Sequence, residues 1–329
     1  MMVRQTHHKS FWNELKKPFF VMAPMKDVTD VAFRKLLAKC GKPDVFWTEF
    51  VSADGLYREV KPLLRDLAFD KDQRPIVAQI FSSKPEMISY AAALCEKLGF
   101  DGVDINMGCP DKAIIKQSAG TALIKNPALA VELIKSAKSA TELPISVKTR
   151  IGYNKETLEE WLTPILEADP AAVTIHLRTY KEMSKVPAHW DLMKKAVEIR
   201  NRINPKVLLI GNGDVRDLYD ARAKALESGC DGVMVGRALF GNPWLFERSE
   251  NSPERSRESR SIGEKLSALI ELAKDFEKIF PPKDFSILKK HIKAFVAGFD
   301  GASELRARLM EANSADALSA QVARYLSGA

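Results

Sequence analysis

The chain has 329 residues, of which 46% are hydrophobic and 28% are charged, and its formal net charge is +7. This composition excludes a fibrous or intrinsically disordered chain and is typical of a globular protein with a sizeable core. The basic excess favours a polyanionic partner such as a nucleic acid, with an ordinary basic enzyme as the alternative.

Short apolar runs alternate with amphipathic segments over the first three quarters of the chain. The apolar runs predict eight strands, at residues 19–24, 44–50, 75–80, 102–106, 144–150, 171–178, 206–214 and 232–237. The segments with helical periodicity predict helices at residues 31–40, 84–99, 127–140, 156–168, 189–203 and 217–229.

This alternation predicts an α/β fold, a closed (β/α)8 TIM barrel. A doubly wound open sheet is the rival fold, but it needs a Gly-rich turn after the first strand, and VMAPMKDVT does not contain one. The charged segment RSENSPERSRESRSIGEK follows the last strand, and only helical periodicity follows that segment. We therefore predict two domains, a barrel over residues 1–248 and a small all-helical domain over residues 255–329.

Polar and small residues follow every predicted strand, where a TIM barrel places its active site. Lys148 and Arg150 share one face of their strand, as do His176 and Arg178, because alternate residues point the same way. The strand ends carry Ala23, Pro24 and Met25, then Glu49, Gln79, Asn106 and Cys109, Lys148 and Arg150, His176 and Arg178, Asn212, Gly213 and Asp214, and finally Gly236 and Arg237.

The last two strand ends resemble a phosphate site. Gly213 and Gly236 allow a close backbone approach, and Arg237 can pair with the phosphate charge. Gln79 and Lys148 can hydrogen-bond the polar edge of a flat ring, and a lysine there would stabilise an anionic reduced flavin. The set therefore favours flavin mononucleotide (FMN), although either glycine could simply serve a tight turn.

The segment DINMGCPDKAIIKQSAGTALIKNP contains N-x-G-C-P followed by Gly120 and Thr121. With MAPM, AQI, VKTRIG, IHLRT, GNGD and VGRA in order, the chain resembles the flavin-dependent tRNA-dihydrouridine synthases over roughly residues 18–246. The resemblance implies reduction of the C5–C6 double bond of uridines in tRNA, with FMN as cofactor and NADPH or NADH as transient reductant.

The resemblance also implies roles for individual residues. Cys109 would be the general acid that protonates C5, Asn106 would hold the base, and Arg150 and Arg178 would line the RNA side. The FMN contacts would be Ala23, Pro24, Met25, Gln79, Lys148, His176, Asn212, Gly213, Asp214, Gly236 and Arg237.

A thiol suits the acid role because it stays protonated near neutral pH when no cation lowers its pKa. Pro110 stiffens the Cys109 loop, and Gly108 permits its turn. We interpret the remaining cysteines, Cys40, Cys95 and Cys230, as small buried hydrophobes. Without CxxC pairs or Cys/His clusters, the four cysteines predict neither disulfides nor a metal site, and a reducing cytoplasmic compartment fits best.

Basic residues in the predicted helical domain could grip the tRNA backbone. Lys289, Lys290 and Lys293 are the candidates, and a merely solvated helical face explains them equally well. Tyr180, Ser184, Val186 and Ser118 depart from the family pattern, so substrate contacts at that rim stay open. We expect a monomer that binds no membrane.

Two alternative functions stay open. The same barrel could be an FMN-dependent oxidoreductase acting on a small pyrimidine or another unsaturated small molecule, although such a substrate needs no second basic domain. A non-catalytic RNA-binding barrel is the other alternative, and the polar residues at every strand end argue against it.

Overall fold

The computed structural model describes residues 10–248, 260–279 and 281–327. Its parallel sheet has the order β1-β9-β8-β7-β6-β5-β4-β2, and a backbone bridge between Val21 and Val45 joins the two ends. This closes the predicted barrel. The strands are β1 (Phe19–Met22), β2 (Phe46–Trp47), β3 (Val51–Ser52), β4 (Ile76–Phe81), β5 (Gly102–Asn106), β6 (Ile145–Arg150), β7 (Ala172–His176), β8 (Leu208–Asn212) and β9 (Gly232–Val235).

The predicted strand at 44–50 is wrong in its extent, because the chain there forms two short strands, β2 and β3, that both pair with β4. The break falls at Thr48. Its hydroxyl accepts a hydrogen bond from the Gln79 backbone N–H at 3.0 Å and donates to the Glu49 carbonyl at 2.9 Å. The Thr48 hydroxyl therefore takes the place of a backbone carbonyl as the acceptor for the Gln79 N–H of β4.

Helices follow the strands and cover the barrel. Side-chain caps explain several of their boundaries, since Asp30 accepts from the Phe33 N–H and Asp217 accepts from the Asp220 N–H. They are α1 (Val31–Cys40), α2 (Ala53–Tyr57), α3 (Lys61–Asp66), α4 (Pro85–Lys97), α5 (Lys112–Ile115), α6 (Pro127–Ala140), α7 (Leu158–Glu167), α8 (Asp191–Ile203) and α9 (Leu218–Ser228).

The C-terminal part is helical, with α10 (Ile262–Glu277), α11 (Lys289–Phe295), α12 (Ala302–Leu309) and α13 (Ala315–Ser327). A capping box between Ser261 and Glu264 begins α10, which packs beside α1 and forms the ion pairs Lys35–Asp275 and Lys39–Glu271. The predicted domain boundary falls mostly on residues 249–259, outside the described residues, so the division into two domains stays a prediction. Within the described ranges, no helix is long and apolar enough to cross a membrane.

Candidate active site

A cavity of about 1810 Å³ opens at the C-terminal ends of the barrel strands. Its walls contain every barrel residue that the sequence assigns to cofactor or substrate. These are Ala23, Pro24, Met25, Gln79, Asn106, Cys109, Lys148, Arg150, His176, Arg178, Asn212, Gly213, Asp214, Gly236 and Arg237. The closed barrel thus brings together residues that are more than 200 positions apart in sequence.

A buried amide network fixes the floor of this cavity. Asp104 accepts a hydrogen bond from Gln79 Nε2 at 2.7 Å and another from the Ser146 hydroxyl at 2.6 Å. Gln79 Oε1 in turn accepts from Asn106 Nδ2 at 3.0 Å. Burial raises the pKa of Asp104 to about 6. Because all three side chains are buried and bonded to one another, the Gln79 and Asn106 amides have fixed orientations.

The loop that carries Cys109 is held from both sides. Asn106 Oδ1 accepts from the backbone N–H of Gly108 at 3.1 Å and of Cys109 at 2.8 Å. On the other side, the Cys109 carbonyl accepts from the Thr121 N–H and hydroxyl, both at 3.1 Å. Gly120 has a φ of +61°, and a Cβ there would lie 2.8 Å from the Cys109 carbonyl oxygen. The motif's Asn, Gly and Thr therefore position one thiol.

The Cys109 side chain lies half-buried beside an apolar cluster that contains Phe81, Ile114 and Ala119. Burial raises the pKa of the Cys109 thiol above its ordinary value, although the Arg150 and Lys148 charges act to lower it. The thiol therefore stays protonated at neutral pH, as a proton donor requires.

Lys148 is the cation at the centre of the cavity. Its Nζ donates to the Asn212 amide oxygen at 3.2 Å, and no carboxylate in the described part of the chain pairs with it. Burial, reinforced by the Arg150 charge, lowers the pKa of Lys148 to about 8. Lys148 is half-buried and has no acidic partner, so it is poised to pair with an anionic or strongly polarised ligand atom.

His176 lies beside Arg178 in the same wall. Burial and four neighbouring cations place the pKa of His176 well below its ordinary value, so the ring is neutral. Its Nε2 lies 3.2 Å from Arg178 Nη1, and because a guanidinium only donates, the ring proton is on Nδ1. His176 therefore offers the cavity a neutral donor.

Asp214 anchors the ends of β8 and β9. It forms ion pairs with the buried Arg178 and the exposed Arg237, and it accepts from the Ala188 N–H at 2.9 Å. Gly213 has a φ of +131°, and a Cβ there would lie 2.7 Å from the Ala188 Cβ and 3.3 Å from the His176 ring. A side chain at this position would therefore clash with its neighbours, and Gly213 contributes only backbone to the cavity wall.

Arg150 and Arg178, which the resemblance places on the RNA side, line the cavity but are buried, with 6% and 2% of their surface exposed. Arg150 donates to the Gly108 carbonyl at 2.8 Å, and Arg178 donates to the Val186 carbonyl at 2.6 Å. Both guanidinium groups therefore hold loops in place, and their contact with RNA stays a prediction.

The lysines predicted to contact RNA are not brought into the cavity. Lys289, Lys290 and Lys293 are exposed on α11, and Lys290 Nζ lies 3.9 Å from Asp27 Oδ2. Their role in substrate binding stays a prediction. In the described part of the chain, no group of three His, Cys, Asp or Glu side chains is arranged to hold a metal ion.

The family profile described as Dihydrouridine synthase (Dus) matches residues 21–327. The chain is also 41% identical over 327 residues to a probable tRNA-dihydrouridine synthase 2 of Bacillus subtilis (strain 168), covering 97% of the chain and 99% of the relative. The chain belongs to the dihydrouridine synthase family. This confirms the resemblance found in the motifs and the prediction of a flavin-dependent oxidoreductase.

Other similar proteins agree with this assignment. A probable tRNA-dihydrouridine synthase of Staphylococcus aureus (strain COL) is 40% identical over 309 residues, covering 93% of this chain and 92% of that protein. Among solved structures, morphinone reductase aligns with a TM-score of 0.51 at 14% identity, over 72% of this chain and 87% of that one. At this low identity the structural match shows the shared barrel fold alone.

The sequence did not reveal two features near the site. Glu49 follows a predicted strand, but its carboxylate lies outside the cavity and pairs with Lys283 of the C-terminal part at 2.6 Å. Lys265, on α10, lines the cavity although it lies far from any strand end in sequence. No local pattern marks either residue, because each acquires its role through packing of the C-terminal helices on the barrel.

Proposed function

We propose that this dihydrouridine synthase reduces the C5–C6 double bond of uridines in tRNA to 5,6-dihydrouridine, with Cys109 as the proton donor. The observation that carries the proposal is the convergence of a protonated thiol, a fixed amide pair and a half-buried lysine without an acidic partner in one cavity of a family member. Each of these groups matches a need of uracil reduction.

The donor set fits FMN. Gly213 and Gly236 leave backbone open to the cavity at neighbouring strand ends, where Arg237 supplies positive charge for a phosphate. Lys148 and Gln79 also line the cavity, and their side chains can hydrogen-bond the polar edge of the flavin ring. When bound, FMN would supply the hydride that adds to C6 of uracil after reduction by NADPH or NADH.

The chain's own residues complete the addition. Hydride at C6 leaves an enolate, which must collect a proton at C5, and the Cys109 Sγ–H would supply that proton. Asn106 positions this thiol through two backbone hydrogen bonds and is itself fixed by Gln79. The Cys109 thiolate formed in each turnover would then recover a proton from solvent.

The uridine must leave the tRNA stack to enter such a cavity, which costs a few kcal/mol unless the base is already unpaired. The exposed lysines of α11 would hold the RNA backbone beside the opening, and the net charge of +7 would assist association. We also propose that the protein acts as a monomer.

The test uses purified protein, unmodified tRNA, FMN and NADPH, with nucleosides quantified by mass spectrometry. We expect one or a few uridines to become dihydrouridine, at positions identified by fragment mapping. Free uridine and uridine monophosphate serve as controls. Their reduction in preference to tRNA would favour the alternative, an oxidoreductase of small pyrimidines.

The affinity for FMN should depend on pH through Lys148. In the free protein its pKa is about 8, and an anionic ligand would favour the charged form and raise that pKa. The contribution of Lys148 to binding is therefore complete below about pH 8 and is lost as the pH rises further. Fluorescence titration of the apoprotein with FMN at neutral and alkaline pH measures this loss.

Lys148→Met provides the comparison. The variant should bind FMN more weakly at neutral pH and should lack the alkaline decrease that Lys148 causes. Equal pH profiles in the two proteins would contradict the placement of Lys148 against the cofactor.

A further inference from the structure

The cavity continues beyond the strand ends into a second region, which we call the outer lobe. The outer lobe lies between the start of α9 and the C-terminal helices, and its walls include Tyr219, Asn242, Leu245, Lys265, Ala297 and Gly298. None of these residues belongs to the set that fits FMN. The whole cavity, at about 1810 Å³, exceeds the roughly 300–1,000 Å³ typical of a single small-ligand site.

Lys265 is the charged residue that the C-terminal helices contribute to the outer lobe, and Arg216, Asp217 and Arg222 line the cavity around the start of α9. Only 8% of its surface is exposed, yet it lines the cavity, and no hydrogen bond or ion pair within the described residues engages its Nζ. Lysine is almost never this buried without a partner. A lysine with so little exposed surface and no acidic partner, on the wall of a cavity, indicates an anionic ligand.

Asn242 supplies a second, independent indication. Its side-chain oxygen is buried and has no hydrogen-bond partner in the described part of the chain, while the residue lines the same lobe. A buried acceptor left unsatisfied costs about 1–3 kcal/mol. The oxygen has almost no accessible surface, so the Asn242 amide must rotate before it can accept from a ligand in the lobe, and this rotation costs the oxygen no hydrogen bond.

We propose that the outer lobe binds the adenosine end of NADPH, with Lys265 pairing with the 2′-phosphate and Asn242 accepting from the adjacent 3′-hydroxyl. A phosphorylated ribose presents an anion and a hydroxyl donor, which are the kinds of group that Lys265 and a rotated Asn242 amide can bind. Tyr219, with 77% of its surface exposed at the edge of the lobe, is placed to stack on the adenine. This inference rests on the proposed function, because it needs a nicotinamide dinucleotide as reductant.

Two other phosphates match the lobe less well. The FMN phosphate already has backbone groups and Arg237 at the ends of β8 and β9, and FMN carries one phosphate only. We assign the RNA backbone to the exposed lysines of α11, because an RNA strand binds at open surfaces, whereas only 8% of the Lys265 surface is exposed.

The experiment compares Lys265→Met with Lys265→Arg and with Lys274→Met, which removes a lysine from the exposed face of the same helix. Each FMN-loaded protein is titrated with NADP⁺ and with NAD⁺, and flavin reduction by NADPH and by NADH is followed anaerobically. Flavin content and melting temperature are measured on the same samples.

We expect wild type to bind NADP⁺ more tightly than NAD⁺. Lys265→Met should weaken NADP⁺ binding at least about tenfold, as the loss of one charge-assisted hydrogen bond does, and should leave NAD⁺ binding unchanged. Lys265→Arg should retain most of the preference, and Lys274→Met should match wild type.

Three results would overturn the inference: no NADP⁺ preference in wild type, loss of FMN from Lys265→Met, or a change confined to the KM for tRNA. The second would place the FMN phosphate at Lys265, and the third would place RNA there. Chemically reduced wild type given tRNA without any dinucleotide tests the proposed function separately. Failure of that reaction would leave the NADP⁺ result standing.

Discussion

Cys109→Ala should retain bound FMN and lose about 10²–10⁴-fold of the tRNA reduction rate, the usual contribution of a positioned general acid. The thiol is protonated because burial raises its pKa, and its loop is held by Asn106 and Thr121 rather than by the side chain itself. The substitution therefore removes the proton without disturbing the loop. Single-turnover oxidation of the reduced flavin by tRNA measures the effect.

Two comparisons make this result specific. Cys40→Ala removes a half-buried thiol that does not line the cavity, and its rate should equal that of wild type. Flavin reduction by NADPH should be normal in Cys109→Ala, because that half-reaction needs no proton for uracil. A variant that cannot hold FMN would contradict the assignment of Cys109 to the substrate side.

Lys283→Met should lower the free energy of unfolding by about 3 kcal/mol or more, as removal of one partner from a buried ion pair does. Lys283 Nζ lies 2.6 Å from Glu49, 3.5 Å from Asp66 and 4.0 Å from Asp30. All of these side chains are at most 5% exposed. Burial alone would lower the pKa of Lys283, but the neighbouring carboxylates raise it above its ordinary value.

The loss of unfolding free energy in Lys283→Met should depend on pH. Burial raises the pKa of Asp30 to about 6 although the Lys283 charge acts to lower it, so without the ammonium the pKa of Asp30 would rise further. A carboxylate with a raised folded pKa stabilises the fold at low pH and does so less as the pH rises. The deficit relative to wild type should therefore be largest at neutral pH and shrink under mildly acidic conditions, as urea denaturation would show.

Lys278→Met is the matched control, since Lys278 forms an exposed ion pair with Asp275 at 2.9 Å. Exposed pairs contribute about 0–1 kcal/mol, so this variant should resemble wild type at every pH. Equal stabilities of the two variants would show that the buried cluster does not hold the C-terminal helices on the barrel. That docking also places Lys265 in the outer lobe.

The sequence by itself determined the barrel and its flavin-type site. The alternation of apolar runs and amphipathic segments specifies βα units, and parallel strands must put their C-terminal ends on one face of the barrel. Residues as distant as Met25, Cys109 and Arg237 could therefore be assigned to one cavity, where they lie. The Asn106-to-Pro110 motif likewise predicted the turn that places the Cys109 thiol in the cavity, because a local hydrogen-bonded turn needs only neighbouring residues.

Only the tertiary structure decided how the C-terminal helices meet the barrel. Glu49 pairs with Lys283, which lies 234 residues further along the chain. Lys265 enters the cavity only because α10 packs on the barrel. The same holds for Arg150, whose guanidinium is buried against backbone carbonyls. Periodicity and motifs describe neighbours along the chain, whereas burial and pairing of these charges arise from contacts between distant segments.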